Sequence, residues 1–237
     1  GKEYMIDVTA KNVKSVTTLP KGAADITYSK AAGKYAYTRD NNLYITDPAG
    51  NIITVTADKD KNIVNGQTVS RNEFGIHGGI FWSPDGKKLA FYRKDESKVA
   101  TFPLLDITTR TGSLKEIKYP MSGMDSEKIS LGVYDLQTAQ TVFMDVTDFD
   151  PERYLTNITW GPQSDAIYIQ VLNRGQDHMR LNKYEAATGK LVSTLLEEQA
   201  GTHVQPQHPL TFIGQKGDRF IYTTNNRDGC FNLHLFN

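Results

Sequence analysis

A phrase of about a dozen residues recurs four times in this chain, and repetition of that kind limits the possible folds more sharply than any local propensity. Its clearest copy is Gly79-Ile-Phe-Trp-Ser-Pro-Asp-Gly-Lys-Lys-Leu-Ala-Phe-Tyr-Arg93: an apolar strand ending in an aromatic ring, a polar turn, then a second apolar strand. Residues 25–37, 157–169 and 210–222 repeat it, and the aligned aromatics Tyr28, Trp82, Trp160 and Phe212 stand 54, 78 and 52 residues apart. Each copy leads into another strand and a turn-linked return, as in residues 42–46 to 52–56 and 181–185 to 191–195. Gly50 and Gly189 suit the turns because glycine adopts positive φ without steric cost. Residues 134–143 read as the same hairpin, and residues 4–8 and 16–19 as the outer half of an earlier blade.

Two of the spacings fit one four-stranded unit each, and the 78-residue spacing implies an insertion. Helix formers at suitable spacing occur only over 191–199, which also reads as a strand. Short Val-, Ile-, Thr- and aromatic-rich runs between Gly, Asp, Asn and Pro turns predict an all-β chain, and repetition favours a propeller over a sandwich or barrel. The expected fold is a partial β-propeller of about three full four-stranded blades flanked by partial ones, short of the roughly four to eight that close a ring. A segment of a longer chain, or one that associates with itself, is therefore expected. The start at Gly1 and the end at Asn237 inside an alternating run point the same way.

Composition acts by exclusion. Lys+Arg and Asp+Glu number 27 each, so the formal charge is zero and no global field favours nucleic acid or an anionic membrane. No apolar run approaches the roughly 20 residues needed to span a bilayer. The single cysteine, Cys230, rules out an intrachain disulfide framework or a multi-cysteine zinc site, and fits a cytosolic or a periplasmic protein equally well.

The α/β-hydrolase nucleophile motif G-x-S-x-G is absent. His203 and His208 lie in a proline-bearing stretch without metal-ligand spacing. Asp58-Lys-Asp-Lys-Asn62 opens like a calcium loop, but Ile63 stands where the sharp turn needs Gly, so it reads as a solvated turn. Trp-Ser-Pro-Asp-Gly reads as a buried ring followed by a β-turn. Arg71 and Arg174 carry no motif and read as surface charge. Residues 63–79 form a long connection into the next blade, the kind of loop where binding residues concentrate. There Glu73 stands between Asn72 and Phe74, with Gly75 permitting a tight bend. The residues alone leave two readings open, a carboxylate presented from an ordered turn or a solvated Glu beside a packing Phe.

Asn62-Ile-Val-Asn-Gly66, the Glu-bearing turn, and Phe81-Trp-Ser-Pro-Asp-Gly-Lys-Lys-Leu-Ala-Phe-Tyr-Arg93, with Asp40-Asn-Asn-Leu-Tyr-Ile45 upstream, resemble the dipeptidyl peptidase IV family. Asn72-Glu-Phe-Gly-Ile76, Tyr119-Pro-Met-Ser-Gly123, Leu131-Gly-Val-Tyr134 and His208-Pro-Leu-Thr-Phe212 are more similar to its bacterial prolyl tripeptidyl aminopeptidase branch. The resemblance implies an eight-bladed N-terminal propeller capping an α/β-hydrolase domain in the same polypeptide, a domain missing from these residues. It implies that Glu73 binds the α-amino group of a peptide substrate, with Asn72 as a second contact, and that release follows cleavage after proline. Dipeptidyl members usually pair two glutamates here; Asn72 in place of one favours a longer released unit. The resemblance also implies no catalytic residue in this segment, no metal or cofactor, export to the periplasm or outer membrane, and a homodimer. A non-enzymatic propeller serving protein interaction or sensing is the competing expectation.

Overall fold

Apolar–polar alternation between glycine- and aspartate-bearing turns produces twenty strands and no α-helix among the described residues, 1–227 and 229–237, of the computed structural model. β1 (Lys2–Asp7) and β2 (Asn12–Thr18) form a hairpin. β3 (Ala24–Ser29), β4 (Lys34–Arg39), β5 (Asn42–Thr46) and β6 (Ile52–Thr54) make the first full antiparallel blade. The second contains β7 (Ile63–Asn65), β8 (Ile80–Trp82) and β9 (Lys88–Asp95). The chain then leaves the sheet as a ribbon of β10 (Thr101–Asp106) and β11 (Ser113–Lys118) before returning in β12 (Lys128–Asp135) and β13 (Gln140–Phe143). The ribbon is the insertion expected from the long repeat spacing, and Leu105, Ile107 and Leu114 on it are exposed.

β14 (Tyr154–Trp160), β15 (Ala166–Leu172), β16 (His178–Glu185) and β17 (Leu191–Gln199) form the third blade, so the ambiguous 191–199 run is a strand. β18 (Thr211–Phe212), β19 (Phe220–Thr224) and β20 (Asn232–Phe236) form a three-stranded partial blade. The architecture is the expected partial propeller.

Two details depart from the sequence reading. Residues 63–65 are not connection but strand: β7 and β8 lie end to end along one edge of β9, at Ile63↔Asp95 and Ile80↔Phe91. The intervening residues therefore loop out from an interrupted strand. The repeat rings are also not uniformly buried. Trp160 is enclosed and donates its indole N–H to Phe81 O at 2.9 Å, whereas Tyr28, tilted against Tyr35 at 4.7 Å, remains 38% exposed.

The second and third blades share a core containing Ala90, Tyr92, Leu131, Leu155, Ile167 and Ile169. Tyr92, almost fully buried, donates its hydroxyl to Leu155 O across the seam at 2.7 Å. Burial pushes the Tyr92 pKa far above the ordinary phenol value, which keeps the group a donor. Tyr92→Phe removes that bond and is expected to lower unfolding stability by about 1–2 kcal/mol, read by denaturant titration.

The repeated turns also interlock. Gly86 N–H closes the Ser83 turn at 2.9 Å, Asp85 N–H donates to Ser164 Oγ in the next blade's turn at 3.1 Å, and Gln163 there donates to Gln215 O in the one after. Burial raises the Asp85 pKa, but hydrogen bonds from the Ser83 hydroxyl and the Lys87 amide outweigh it and hold the carboxyl below its usual range.

Candidate functional site

Between β7 and β8 the backbone is forced into a conformation that its residues would not choose. Ser70, Arg71, Asn72 and Phe74 have φ of 50°, 53°, 64° and 55°, followed by Gly75 at 71°. Left-handed Asn and Gly cost little; the same conformation at Ser, Arg and Phe stores about 1 kcal/mol or more each, and survives only where the surroundings over-determine it. Here they do. Ser70 N–H donates to Glu127 Oε1 at 2.7 Å, Glu73 N–H to Ser70 O at 3.0 Å, and Ile76 N–H to Glu73 O at 3.1 Å. Thr68 Oγ1 donates to Asn72 Oδ1 at 2.6 Å. Phe74 is buried with its ring 4.7 Å from that of Tyr154, and Val69 and Ile76 enter the core shared by the second and third blades.

Packing of the residues on either side leaves Glu73 exposed on an ordered turn beside the buried Phe74. Asn72, also exposed, is adjacent, its side-chain oxygen occupied by Thr68. Glu73 borders a cleft of about 350 Å³ that also receives Glu96, Glu127, Glu152, Arg71, Lys94 and Arg174. The other three carboxylates have cation partners: Lys94 Nζ lies 2.8 Å from Glu96 and 3.7 Å from Glu127, and Arg174 Nε 3.6 Å from Glu152. Glu152 also accepts Ser126 N–H at 3.1 Å. No hydrogen bond or ion pair reaches the Glu73 carboxylate from any described residue. It is thus the one carboxylate of the cleft without a direct ion-pair partner among the described residues, in a lining that also includes Lys118 and Arg153, and a cation meeting it would displace no existing contact.

Arg71 and Arg174, read from the sequence as surface charge, are exposed and also line this cleft. Arg71 stacks over the Tyr119 ring at 3.9 Å, and Arg174 bonds the Tyr154 hydroxyl as well as pairing with Glu152. Their roles depend on partners that no local motif announces. Sequence reasoning also missed Glu127 and Asn157, which hold the loop. Glu127 had no signal. Asn157 had one: it occupies the repeat position of Asp25, both sit at bulges, and both have left-handed backbone, with φ of 51° and 48°.

A second polar cluster, on the third blade, provides a contrast. Arg180 bonds Glu197 at 2.9 Å and the buried Asp148 at 3.3 Å, and Asp148 also accepts from Asn182 at 2.8 Å. His178 and then Arg180 hold the Glu197 pKa below the ordinary carboxylate range. Its charges pair with one another. His203 and His208 are exposed, as expected of loop residues, whereas Asp58, read from the sequence as part of a solvated turn, is half-buried, paired to Arg93 at 3.4 Å and bonded by Asn65 at 3.0 Å.

The family described as "Dipeptidyl peptidase IV (DPP IV) N-terminal region" matches residues 1–237. A solved structure from Bacteroides ovatus, described as a dipeptidyl aminopeptidase IV, superposes with a TM-score of 0.89 at 41% identity, covering 100% of this chain and 32% of that one. Porphyromonas gingivalis dipeptidyl peptidase 4 superposes with a TM-score of 0.84 at 25% identity, covering 99% of this chain and 34% of that one. A curated relative described as a dipeptidyl-aminopeptidase B, from Phaeosphaeria nodorum, is 28% identical over 224 residues, 82% of this chain and 24% of its own length. The chain thus spans about a quarter of the curated relatives it matches.

Proposed function

We propose that this chain, which belongs to the dipeptidyl peptidase IV N-terminal region family, is the substrate-selecting propeller segment of a proline-specific serine exopeptidase, with Glu73 anchoring the free α-amino group of the peptide. In this reading Asn72 is a secondary polar contact, and an α/β-hydrolase domain of the same polypeptide supplies the nucleophile. Support comes from Glu73 being the one carboxylate of its cleft without a cation partner among the described residues, held on a strained, multiply tethered turn.

Magnitudes decide how such a site works. An ion pair open to water contributes about 0–1 kcal/mol, too little to select one peptide terminus, whereas a charge-assisted hydrogen bond sheltered from water contributes about 1.5–3 kcal/mol. The anchor becomes discriminating when substrate and hydrolase domain cover the cleft. The isolated segment should therefore bind peptides weakly and hydrolyse none. Export of the parent protein is proposed from the family relationship; no helix among the described residues is long and apolar enough to cross a membrane.

The test is hydrolysis, by the full-length polypeptide, of matched chromogenic dipeptidyl-proline and tripeptidyl-proline substrates, each free and N-acetylated. Cleavage of free-amine substrates at least about tenfold faster than the slow residual cleavage of their acetylated counterparts is the expected result, and the preferred length gives the register. Equal cleavage of acetylated substrates would remove the amine-anchor reading, and no cleavage of either would favour a propeller used for protein interaction.

A further inference from the structure

The amine anchor is held at its other end by a residue from a different blade. Asn157, 5% exposed, sits at the bulge of β14 between Thr156 and Thr159 with a left-handed backbone that asparagine tolerates. Its Nδ2 donates to Phe74 O at 3.1 Å, one residue beyond Glu73, and to Pro206 O at 2.7 Å. Weaker approaches, to Thr156 Oγ1 at 3.3 Å and Gln170 Oε1 at 3.4 Å, complete its surroundings. Two backbone carbonyls at hydrogen-bond distance establish which end of the amide carries the protons.

The fully buried Gln170 donates its own amide to His208 O at 2.9 Å, so the same pair fastens the 206–208 stretch to the third blade. Gly75 is pressed against this assembly: a Cβ there would stand 2.3 Å from Gln207 O and 2.6 Å from Asn157 Oδ1. The Glu73 turn is thus tied on one side by Glu127 through Ser70 and on the other by Asn157 through Phe74.

We propose that Asn157 is the positioning residue of this site: by donating to Phe74 O and Pro206 O together, it sets where the Glu73 carboxylate stands. The proposal rests on the amine-anchor reading for its catalytic consequence, but the placement it describes can be measured separately.

Asn157→Asp keeps the shape and the backbone preference but points an acceptor at two carbonyls. In the full-length polypeptide, amide hydrogen exchange over residues 70–76 should rise at least tenfold. kcat/KM for free-amine substrates should fall about ten- to a hundredfold, mainly through KM, because a buried donor is lost. Hydrolysis of the N-acetylated substrate should stay at its wild-type value, and combination with Glu73→Ala should add nothing to the loss from Glu73→Ala alone. General damage to the fold would lower both substrates together and would not vanish in the double variant.

If Asn157→Asp does not fold, Asn157→Gly, which accepts the left-handed backbone and removes the amide, takes its place. Unchanged exchange over 70–76, or an equal loss on free and acetylated substrates, overturns the proposal. A wild type that ignores acetylation, or a silent Glu73→Ala, would instead defeat the amine-anchor reading and leave the exchange measurement to decide whether Asn157 positions the turn.

Discussion

Glu73→Ala should lower kcat/KM on free-amine prolyl peptides by about ten- to a hundredfold in the full-length polypeptide, while residual hydrolysis of the N-acetylated peptide stays unchanged. The size follows from losing one charge-assisted hydrogen bond in a covered cleft, about 1.5–3 kcal/mol. Much of the loss should appear in KM, since the ammonium is bound in both ground and transition states. Because Glu73 is exposed and bonds no described side chain, its removal should change stability by less than about 0.5 kcal/mol. An unchanged melting temperature would then separate lost recognition from lost folding. Glu73→Gln keeps the size and one acceptor but removes the charge, and should retain part of the activity. An alanine variant indistinguishable from wild type would make Glu73 a bystander.

Gly75→Ala should be nearly as damaging without touching any group proposed to meet substrate. Two independent costs meet at this position. With φ at 71°, a side chain is disfavoured by about 1–2 kcal/mol, and the added Cβ would have to displace Gln207 O, at 2.3 Å, and Asn157 Oδ1, at 2.6 Å. The Gln207 contact is with backbone, so a rotamer change cannot relieve it, and the turn carrying Glu73 must move. We expect a loss of about 2–4 kcal/mol in unfolding stability and a fall in free-amine selectivity approaching that of Glu73→Ala.

Gly50→Ala is the control. That glycine has φ of 88° but nothing within 4 Å of its would-be Cβ, so it should show the conformational cost alone, with substrate selectivity intact. Equal behaviour of the two variants would mean that the close approach at Gly75 does not matter.

The blades were legible in the sequence because their causes are local. Period-two alternation, a ring before a Pro-Asp-Gly turn and glycines where positive φ is needed are all written within a few neighbouring residues. Hence residues 25–56 and 157–195 could be divided into strands from their order alone, and the long repeat spacing betrayed the ribbon. Less legible was the interruption of the second blade's edge strand: Ile63–Asn65 looks like the start of a loop until its pairing with residues 93–95 is known.

Glu73 could be singled out from its turn and from family resemblance, but what makes it distinctive is its lack of a partner, which is a property of the neighbourhood. In the sequence Glu73, Glu96, Glu127 and Glu152 are equivalent acids. Only the folded sheets bring Lys94 to Glu96 and Glu127 within the second blade and Arg174 to Glu152 within the third, and leave the fourth open. The tethers that hold its turn come from Glu127, 57 residues from Ser70, and Asn157, 83 residues from Phe74, beyond the reach of any spacing rule. The amino-acid order by itself determined the strands, the turns and the blade repeat, since those follow from each residue's own backbone preferences and the alternation of its faces. Tertiary structure alone decided which carboxylate is free and how rigidly it is aimed, because ion pairs depend on strand pairing within each blade, and the restraint on the turn comes from segments that burial of the shared core brings together.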